Sequence, residues 1–186
     1  PAAGFVDADL TKPMHTTPLD HGFDFCRFTS RSHGTSGPDA GAQNPSKHNG
    51  PNQNRGPGHI HGRTVVGATK NGRQLVADGP HAYVLKKLGG RHSDEAMEFL
   101  SRQVEEKKPF FLYYPSNSNH GPYTPDSKVG DVPGAGAART KSGIPMDARH
   151  DYIYENAVAL GRFLDYLEST DDPRNPGKPL IDNTIV

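Results

Sequence analysis

The sequence predicts an α/β fold, and three observations support that prediction. Residues 93–105 have the spacing of an amphipathic helix, residues 110–114 form an unbroken apolar run, and residues 147–167 have a second helical pattern. A further apolar stretch begins at Leu180, which gives the order helix, strand, loop, helix, strand. Such alternation is typical of α/β proteins, whose central strands are buried on both faces.

The composition sets limits on both stability and function. The 186 residues include 21 basic and 21 acidic side chains, so no net charge draws the chain to nucleic acid. Gly and Pro make up about a fifth of the chain, and only 32% of residues are apolar, which predicts many loops and a small core. Cys26 is the only cysteine, which excludes an internal disulfide. No stretch has the apolar length of a membrane-spanning helix.

The first half of the chain is predicted to be mostly loop. After proline- and threonine-rich turns, the sequence DHGFDF at 20–25 indicates a short strand or the lead-in to one. Residues 29–62 are nearly all small or polar and predict a long surface loop. Two weak strand signals, at 64–66 and 74–76, flank an Asn-Gly pair at 71–72, which predicts a hairpin.

The second half contains the two predicted helices and the apolar run. Ser93 is the expected N-cap of the first helix, and its predicted buried face consists of Ala96, Phe99, Leu100 and Val104. The second helix is expected to begin near Asp147, and its predicted apolar face consists of Ile153, Ala157, Leu160, Leu164 and Leu167. The run at 110–114 lies between the helices and predicts a buried central strand.

A histidine follows this predicted strand. Small polar residues end the apolar run, His120 comes next, and residues 121–125 have a turn composition. In open α/β sheets, ligands bind at the carboxyl ends of the strands, and loops there commonly carry function. His120 is therefore a candidate functional residue, and an ordinary loop histidine is the alternative.

Three blocks of the chain together resemble one protein family. They are KPFFLYYPSNSNHGPYTP at 108–125, YIYENAVALGRFLDYLE at 152–168 and PLIDNTIV at 179–186. In this order they resemble the sulfatases, which are arylsulfatase-like hydrolases of the alkaline phosphatase superfamily, and DHGFDF is similar to an earlier segment of that family. The resemblance is strong from 92 to 186 and weak across 29–85.

The resemblance implies a fold and a position within it. It implies an alkaline-phosphatase-like mixed sheet flanked by helices, with long loops. Residues 1–186 are then expected to be an internal fragment of a sulfatase catalytic domain. Within it, 1–28 lead into a strand, 29–91 form a long loop and a hairpin, and 92–186 run helix, strand, loop, helix, strand.

The resemblance also implies a chemistry. The family hydrolyses sulfate esters with a formylglycine nucleophile made from Cys or Ser in a Cys/Ser-x-Pro-x-Arg motif, and it holds a calcium-type divalent cation with oxygen ligands. A hard cation and fixed donors stabilise the negative charge of the sulfate. Cys26 lacks the required Pro and Arg, so we interpret it as a buried filler and expect the nucleophile outside this chain. The metal-binding Asp-Asn pair is expected just beyond Val186, and we interpret Asp171 and Asp172 as solvated loop residues.

The resemblance assigns one residue a catalytic role. His120 matches the family's histidine that contacts the ester oxygen of the sulfate, where a histidine can supply a proton or a hydrogen bond. Asn119, Tyr123 and Lys128 flank it and are candidates for binding the substrate, with turn formation and solvent contact as the alternative. His59 and His61 have the spacing of a metal clip, but ten histidines in a loop-rich chain make such a pair expected by chance.

Two other functions stay open at this point. One is a phosphoryl or phosphonate hydrolase of the same superfamily, which a plain Thr or Ser nucleophile would indicate. The other is a non-catalytic binding protein on a sulfatase scaffold, which missing metal ligands in the complete sequence would indicate. The expected partner is a sulfate ester, either an aryl sulfate or a sulfated carbohydrate. By resemblance the protein is expected to be periplasmic or extracellular.

Overall fold

The computed structural model describes residues 12–29, 59–66, 68–70, 74–76, 84–121 and 123–186. The chain forms two compact units, one of Pro1–Lys86 with His120–Pro122 and the other of Lys87–Asn119 with Tyr123–Val186. The described residues combine helices with small antiparallel sheets, so the predicted mixture of α and β structure is confirmed. Within these ranges, no helix is both long and apolar enough to span a bilayer.

The first unit contains a three-stranded antiparallel sheet. Its strands are β1 (Arg27–Thr29), β2 (His59–His61) and β3 (Thr64–Val65), in that order. Ile60 and Val65 form its buried centre, against which Met14 and Phe28 pack. The DHGFDF segment contributes the end of a 3-10 helix, Pro18–His21, and then leads into β1.

A hairpin follows this sheet. Strand β4 (Ala68–Lys70) pairs antiparallel with β5 (Gln74–Val76), and Lys70 lies opposite Gln74. The hairpin is thus present with its predicted second strand. Its first strand differs from the predicted one because Thr64–Val65 pairs with β2 instead. The Asn-Gly turn at 71–72 and the loop at 30–58 lie outside the described residues.

Helix α1 of the second unit is longer than predicted. It spans Leu88–Glu105, so Ser93 is a buried residue inside the helix and not its N-cap. Gly89 and Gly90 lie in its first turn, where low helix propensity concealed the true beginning. The predicted face is correct at its centre, since Ala96 and Leu100 are buried.

Helix α2 (Ala148–Ser169) begins where it was predicted but buries a different face. The Asp147 side chain caps it by accepting hydrogen bonds from two backbone N–H groups. The prediction was wrong for Ile153 and Leu160, which are 46% and 47% exposed. The prediction was correct for Leu167, and the buried positions are Asp151, Tyr152, Glu155, Ala159, Phe163 and Leu167. Because several of these buried residues are polar, the spacing of the apolar residues did not reveal the buried face.

The two helices enclose the core of the second unit. Its buried residues are Ala96, Leu100, Val129, Ala159 and Phe163. Val129 comes from a small hairpin of β6 (Lys128–Val129) and β7 (Val132–Pro133), which lies between the apolar run and helix α2. The hairpin thus adds an apolar residue to the space between the helices.

The predicted central strand does not form a ladder. No sheet among the described strands includes residues 110–114. Phe110, Leu112 and Tyr114 pack against the helical core, whereas Phe111 and Tyr113 are 75% and 68% exposed. The segment therefore has the alternation of an extended strand with one covered face, because the two helices cover only that face.

The predicted last strand is also absent. Leu180–Asn183 is a 3-10 helix with only Leu180 buried, and residues 184–186 are irregular. Leu180 N–H donates to the Thr170 carbonyl, which ties this segment to the end of α2. The local turn takes the hydrogen-bonding groups that a strand would have offered to a sheet.

Candidate functional site

His120 is exposed and directly follows a turn at Ser118 and Asn119. Its Nδ1 is 2.6 Å from the carbonyl oxygen of Gly121, so Nδ1–H is the donor of that bond. In the neutral imidazole this tautomer makes Nε2 the acceptor, and in the imidazolium Nε2–H becomes a second donor. The geometry is therefore compatible with proton donation or acceptance through Nε2.

Asn119 and Tyr123 contact the same side chain, that of Arg149. Arg149 Nε donates to Asn119 Oδ1 at 2.9 Å, and the guanidinium carbon lies 5.9 Å from the centre of the Tyr123 ring. Asn119 has a φ of 74°, a left-handed conformation that asparagine tolerates better than most residues. Arg149, which the sequence did not indicate, thus contacts two of the three residues that were predicted to flank His120.

Arg149 is positioned by the first turn of α2. Its backbone N–H and that of His150 both donate to Asp147 Oδ1 at 3.1 Å. His150 Nδ1 also lies 2.7 Å from this oxygen, and these contacts hold the pKa of the Asp147 carboxyl below its usual range. Within the described part of the chain, no carboxylate pairs with the Arg149 guanidinium. An arginine of this kind is suited to binding an oxyanion.

Lys128 does not join this group of contacts. It lies on β6 with its side chain exposed, and its backbone N–H is 3.4 Å from Asp126 Oδ1, which accepts from it. The structure therefore gives Lys128 a place in the small hairpin, and its predicted role in substrate binding stays a prediction.

Glu155 is a buried carboxylate that contacts Ser118 and Asp126. It is 1% exposed. Ser118 Oγ donates to its Oε1 at 3.1 Å, and the Asp126 backbone N–H donates to its Oε2 at 2.5 Å. Burial raises the pKa of the Glu155 carboxyl to about 7, although both hydrogen bonds act to lower it.

The glycines at the start of α1 make room for carboxylates. A Cβ atom at Gly89 would lie 2.0 Å from Glu155 Oε1, and one at Gly90 would lie 2.7 Å from Asp126 Oδ2. Gly90 N–H donates to that Asp126 oxygen at 3.1 Å. Gly89 and Gly90, whose low helix propensity concealed the start of α1, are therefore needed because a side chain there would collide with Glu155 or Asp126.

A second polar chain fixes the start of the turn. Asn117 Nδ2 donates to the hydroxyl of Tyr152 at 2.5 Å, and His92 Nδ1 lies 3.3 Å from Asn117 Oδ1. Tyr152 is fully buried, and burial lowers the pKa of His92. Both helices thus hold the residue that precedes Ser118.

The other residues considered from the sequence have structural contacts. Cys26 is partly buried with its Sγ 3.6 Å from the Gly62 carbonyl oxygen, and burial raises the pKa of its thiol. His59 and His61 occupy alternate positions of β2. The interpretation of Asp172 as solvated was wrong, because it is 0% exposed and accepts from Arg174 N–H at 2.9 Å and Asn183 Nδ2 at 3.3 Å.

The ligands of the implied cation are not found among these contacts. Across the described ranges, no three or more His, Cys, Asp or Glu side chains converge in the manner of a metal site. Glu155 and Asp126 use their oxygens for backbone N–H groups and Ser118, which explains their burial without a cation.

Comparison of the chain with protein-family models, with curated proteins and with solved structures found no match.

Proposed function

We propose that this chain contributes to the catalytic domain of an arylsulfatase-like sulfuric ester hydrolase of the alkaline phosphatase superfamily. In the complete protein the substrate would be a sulfate ester, either an aryl sulfate or a sulfated carbohydrate. The observation that carries the proposal is the order of the three sequence blocks at 108–125, 152–168 and 179–186.

The packing of the second unit supports treating the first two blocks as one functional element. Tyr114 of the first block packs edge-to-face on Phe163 of the second, with ring centres 5.0 Å apart. Asn117 and Ser118 of the first block contact Tyr152 and Glu155 of the second. Two blocks that resemble one family thus lie together in space.

His120 has the proposed catalytic role. Hydrolysis of a sulfate ester transfers the sulfuryl group away from an alcohol oxygen, which needs a proton or a hydrogen bond as it leaves. The Nδ1 contact with Gly121 selects Nε2 as the atom for that task. Asn119 and Tyr123 would border the substrate, and Arg149 would add positive charge for the sulfate oxygens.

By the resemblance, the implied cofactors would be held by residues outside the described part of this chain. A calcium-type cation and a formylglycine nucleophile would stabilise and attack the sulfate in the complete enzyme. The contribution of the present residues is donation to the leaving oxygen and recognition of the ester.

The test is His120→Ala in the complete protein, assayed on an activated aryl sulfate and on a sugar sulfate. We expect a rate loss of about 10²–10⁴-fold on the sugar sulfate, the usual contribution of a general acid. The loss should be smaller on the aryl sulfate, because an acidic phenol needs less protonation. Thermal melting should change little, since exposed substitutions shift stability by about 0.5 kcal/mol or less.

The control is His15→Ala, which removes another exposed histidine outside the helices and strands. It should leave both rates unchanged. Equal rates for His120→Ala and the unsubstituted protein on both substrates would remove His120 from the mechanism. Cleavage of phosphate esters or phosphonates in place of sulfate esters would favour the other branch of the superfamily. Absence of any hydrolysis would favour a binding protein.

A further inference from the structure

We propose that helix α2 binds α2 of a second copy of this chain through its outer face, with the two helices antiparallel. The outer face consists of Ile153, Tyr154, Ala157, Leu160 and Gly161. The inference goes beyond the proposed function and does not rest on it, because an interface between two copies needs no substrate.

The outer face is apolar and exposed. Ile153, Tyr154 and Leu160 are between 38% and 47% exposed, and Ala157 is exposed as well. A Cβ atom at Gly161 would meet nothing within 4 Å. The buried residues that α2 contributes to the hydrophobic core lie on its other side. A contiguous apolar face that remains in contact with water is the kind of surface that binds another protein.

The spacing along the outer face is that of a helix-pairing seam. Ile153, Ala157, Leu160 and the partly buried Leu164 follow one another at steps of four, three and four residues. This seam is about 17 Å long at 1.5 Å per residue. Ala157 and Gly161 are small, which lets a second helix approach closely. Another helix of the same spacing fits this seam, and a second copy of the chain supplies one.

The charges at the two ends of the seam are complementary only when the helices run in opposite directions. His150 lies at the beginning of α2, whereas Asp165 and Glu168 lie near its end. Neither of these two acids forms a salt bridge within the described residues. In an antiparallel pair with Ile153 opposite Leu164, His150 lies beside Glu168 of the second copy. A parallel pair would instead place the acidic ends together, where they repel.

His150 has an atom to spare for this contact. Its side chain is 46% exposed, and its Nδ1 lies 2.7 Å from Asp147 Oδ1. The imidazolium donates from both ring nitrogens, so Nε2–H can bind a second carboxylate while Nδ1–H keeps the first. The contact occurs twice in a symmetric pair, once at each end of the seam.

The test is analytical ultracentrifugation of the complete protein over a range of about 5 to 500 μM. One helix face buries less than the roughly 1,200 Å² of a standard interface, so we expect a weak dimer that dissociates at low micromolar concentration. The weight-average mass should therefore rise towards twice the monomer mass with concentration. Circular dichroism at the lowest concentration compares the folding of monomeric variants.

Ile153→Lys places a charge in the seam. It should weaken association by about tenfold or more, because the ammonium group would have to lose water against Leu164 of the second copy. Helix content of the monomer should not change, since lysine has a high helix propensity and the site is exposed. Ile144→Lys is the matched control, because Ile144 is 60% exposed outside the helices and strands. It should leave association unchanged.

A charge exchange tests the antiparallel arrangement. Glu168→Lys should weaken association by about fivefold, the scale of exposed ion pairs. Adding His150→Glu should restore association to within about twofold of the unsubstituted protein, because the two charges again oppose each other. Both substitutions also suit the helix dipole, so neither should unfold α2.

Three results would overturn the proposal. They are a monomer at every concentration, a dimer that Ile153→Lys leaves intact, and a double variant that associates no better than Glu168→Lys. Monomeric protein whose melting temperature falls sharply in Ile153→Lys would show that another segment of the complete protein covers the outer face, which also overturns it. Hydrolysis of sulfate esters is not measured, so none of these results bears on the proposed function.

Discussion

The two halves of helix α2 are buried by different means. The first half buries Asp151, Tyr152 and Glu155, whose polar atoms bind the segments that precede the helix. The second half buries Leu167 and Phe163, and Phe163 packs with apolar neighbours. One continuous helix thus fixes loops at one end and forms a hydrophobic core at the other.

The two halves of α2 therefore serve different purposes, because one contributes to the stability of the fold and the other to the placement of loops. Burying apolar surface stabilises a fold in rough proportion to the area removed from water, whereas a buried carboxylate gives little net stability even when well bonded. Asp151 accepts from the backbone N–H groups of Gly136 and Ala138, both at 2.8 Å, and so orders a glycine-rich segment that has few apolar side chains of its own. The polar half therefore determines where loops lie, and the apolar half supplies the free energy.

The largest expected effect is in the apolar half. Phe163→Ala should lower the free energy of unfolding by about 3–5 kcal/mol, because it removes a ring that is 6% exposed and leaves a cavity beside Tyr114. Urea unfolding followed by circular dichroism would measure the change. Leu160→Ala is the matched control in the same helix, since Leu160 is 47% exposed.

The control should change stability by no more than about 1 kcal/mol. The apolar periodicity predicts Leu160 on the buried face, so the pair also tests the corrected face of α2. Similar losses for both variants would contradict the structure, and a larger loss for Leu160→Ala would restore the predicted face.

The predicted face was wrong for a physical reason. Periodicity analysis counts apolar residues, and it assigns Ile153 and Leu160 to the core because nothing in a sequence marks an acid as buried. Glu155 is buried only because Ser118 and Asp126 N–H satisfy its oxygens, and these partners lie 37 and 29 residues away. Contacts of that range cannot be derived from helical spacing.

In the candidate site, too, local patterns could be predicted from the sequence and long-range contacts could not. His120 became a candidate because a histidine after an apolar run followed by turn residues is a local pattern, and its catalytic role stays a prediction. Arg149 was missed because its contact with Asn119 spans 30 residues, and a charged residue in a first helical turn normally indicates solvent exposure. The run at 110–114 was predicted to be a buried central strand, and this was wrong because strand pairing depends on neighbours that local sequence does not specify.

A smaller effect is expected from pH in the polar half. The folded-state pKa of Glu155 is about 7, above its ordinary value of 4.5, so the folded protein binds this proton more tightly than the unfolded chain does. The stabilising contribution is therefore complete below about pH 4.5 and is lost as the pH rises towards 7, by up to about 3 kcal/mol. The Asp126 carboxylate faces Glu155 and also opposes its ionisation.

The comparison of the unsubstituted chain with Glu155→Gln isolates this group from others that titrate, such as His92. Urea unfolding between about pH 5 and pH 8 should show the unsubstituted chain losing stability relative to the glutamine variant as the pH rises. A constant difference across that range would mean that the folded-state pKa of Glu155 is not raised.

The smallest expected effects compare two glycines, one in each helix. Gly161 of α2 has open space where a Cβ atom would be, so Gly161→Ala should stabilise the protein by about 0.5–1 kcal/mol through helix propensity alone. Gly89 of α1 has the Glu155 carboxylate there, at 2.0 Å. Gly89→Ala must displace that side chain from Ser118 and Asp126, which should destabilise the protein by about 1–3 kcal/mol in spite of the same gain in propensity.

The opposite signs of the two substitutions make the comparison decisive. Intrinsic helix propensity predicts that both substitutions stabilise the protein. A loss of stability in Gly89→Ala alone can therefore come only from displacement of the Glu155 carboxylate by the added methyl group. Urea midpoints of the two alanine variants would measure the signs, and Asp126 amide exchange should accelerate in Gly89→Ala but not in Gly161→Ala. Stabilisation by both substitutions would mean that the Glu155 carboxylate does not lie against α1, and the polar half of α2 would then need another explanation for its burial.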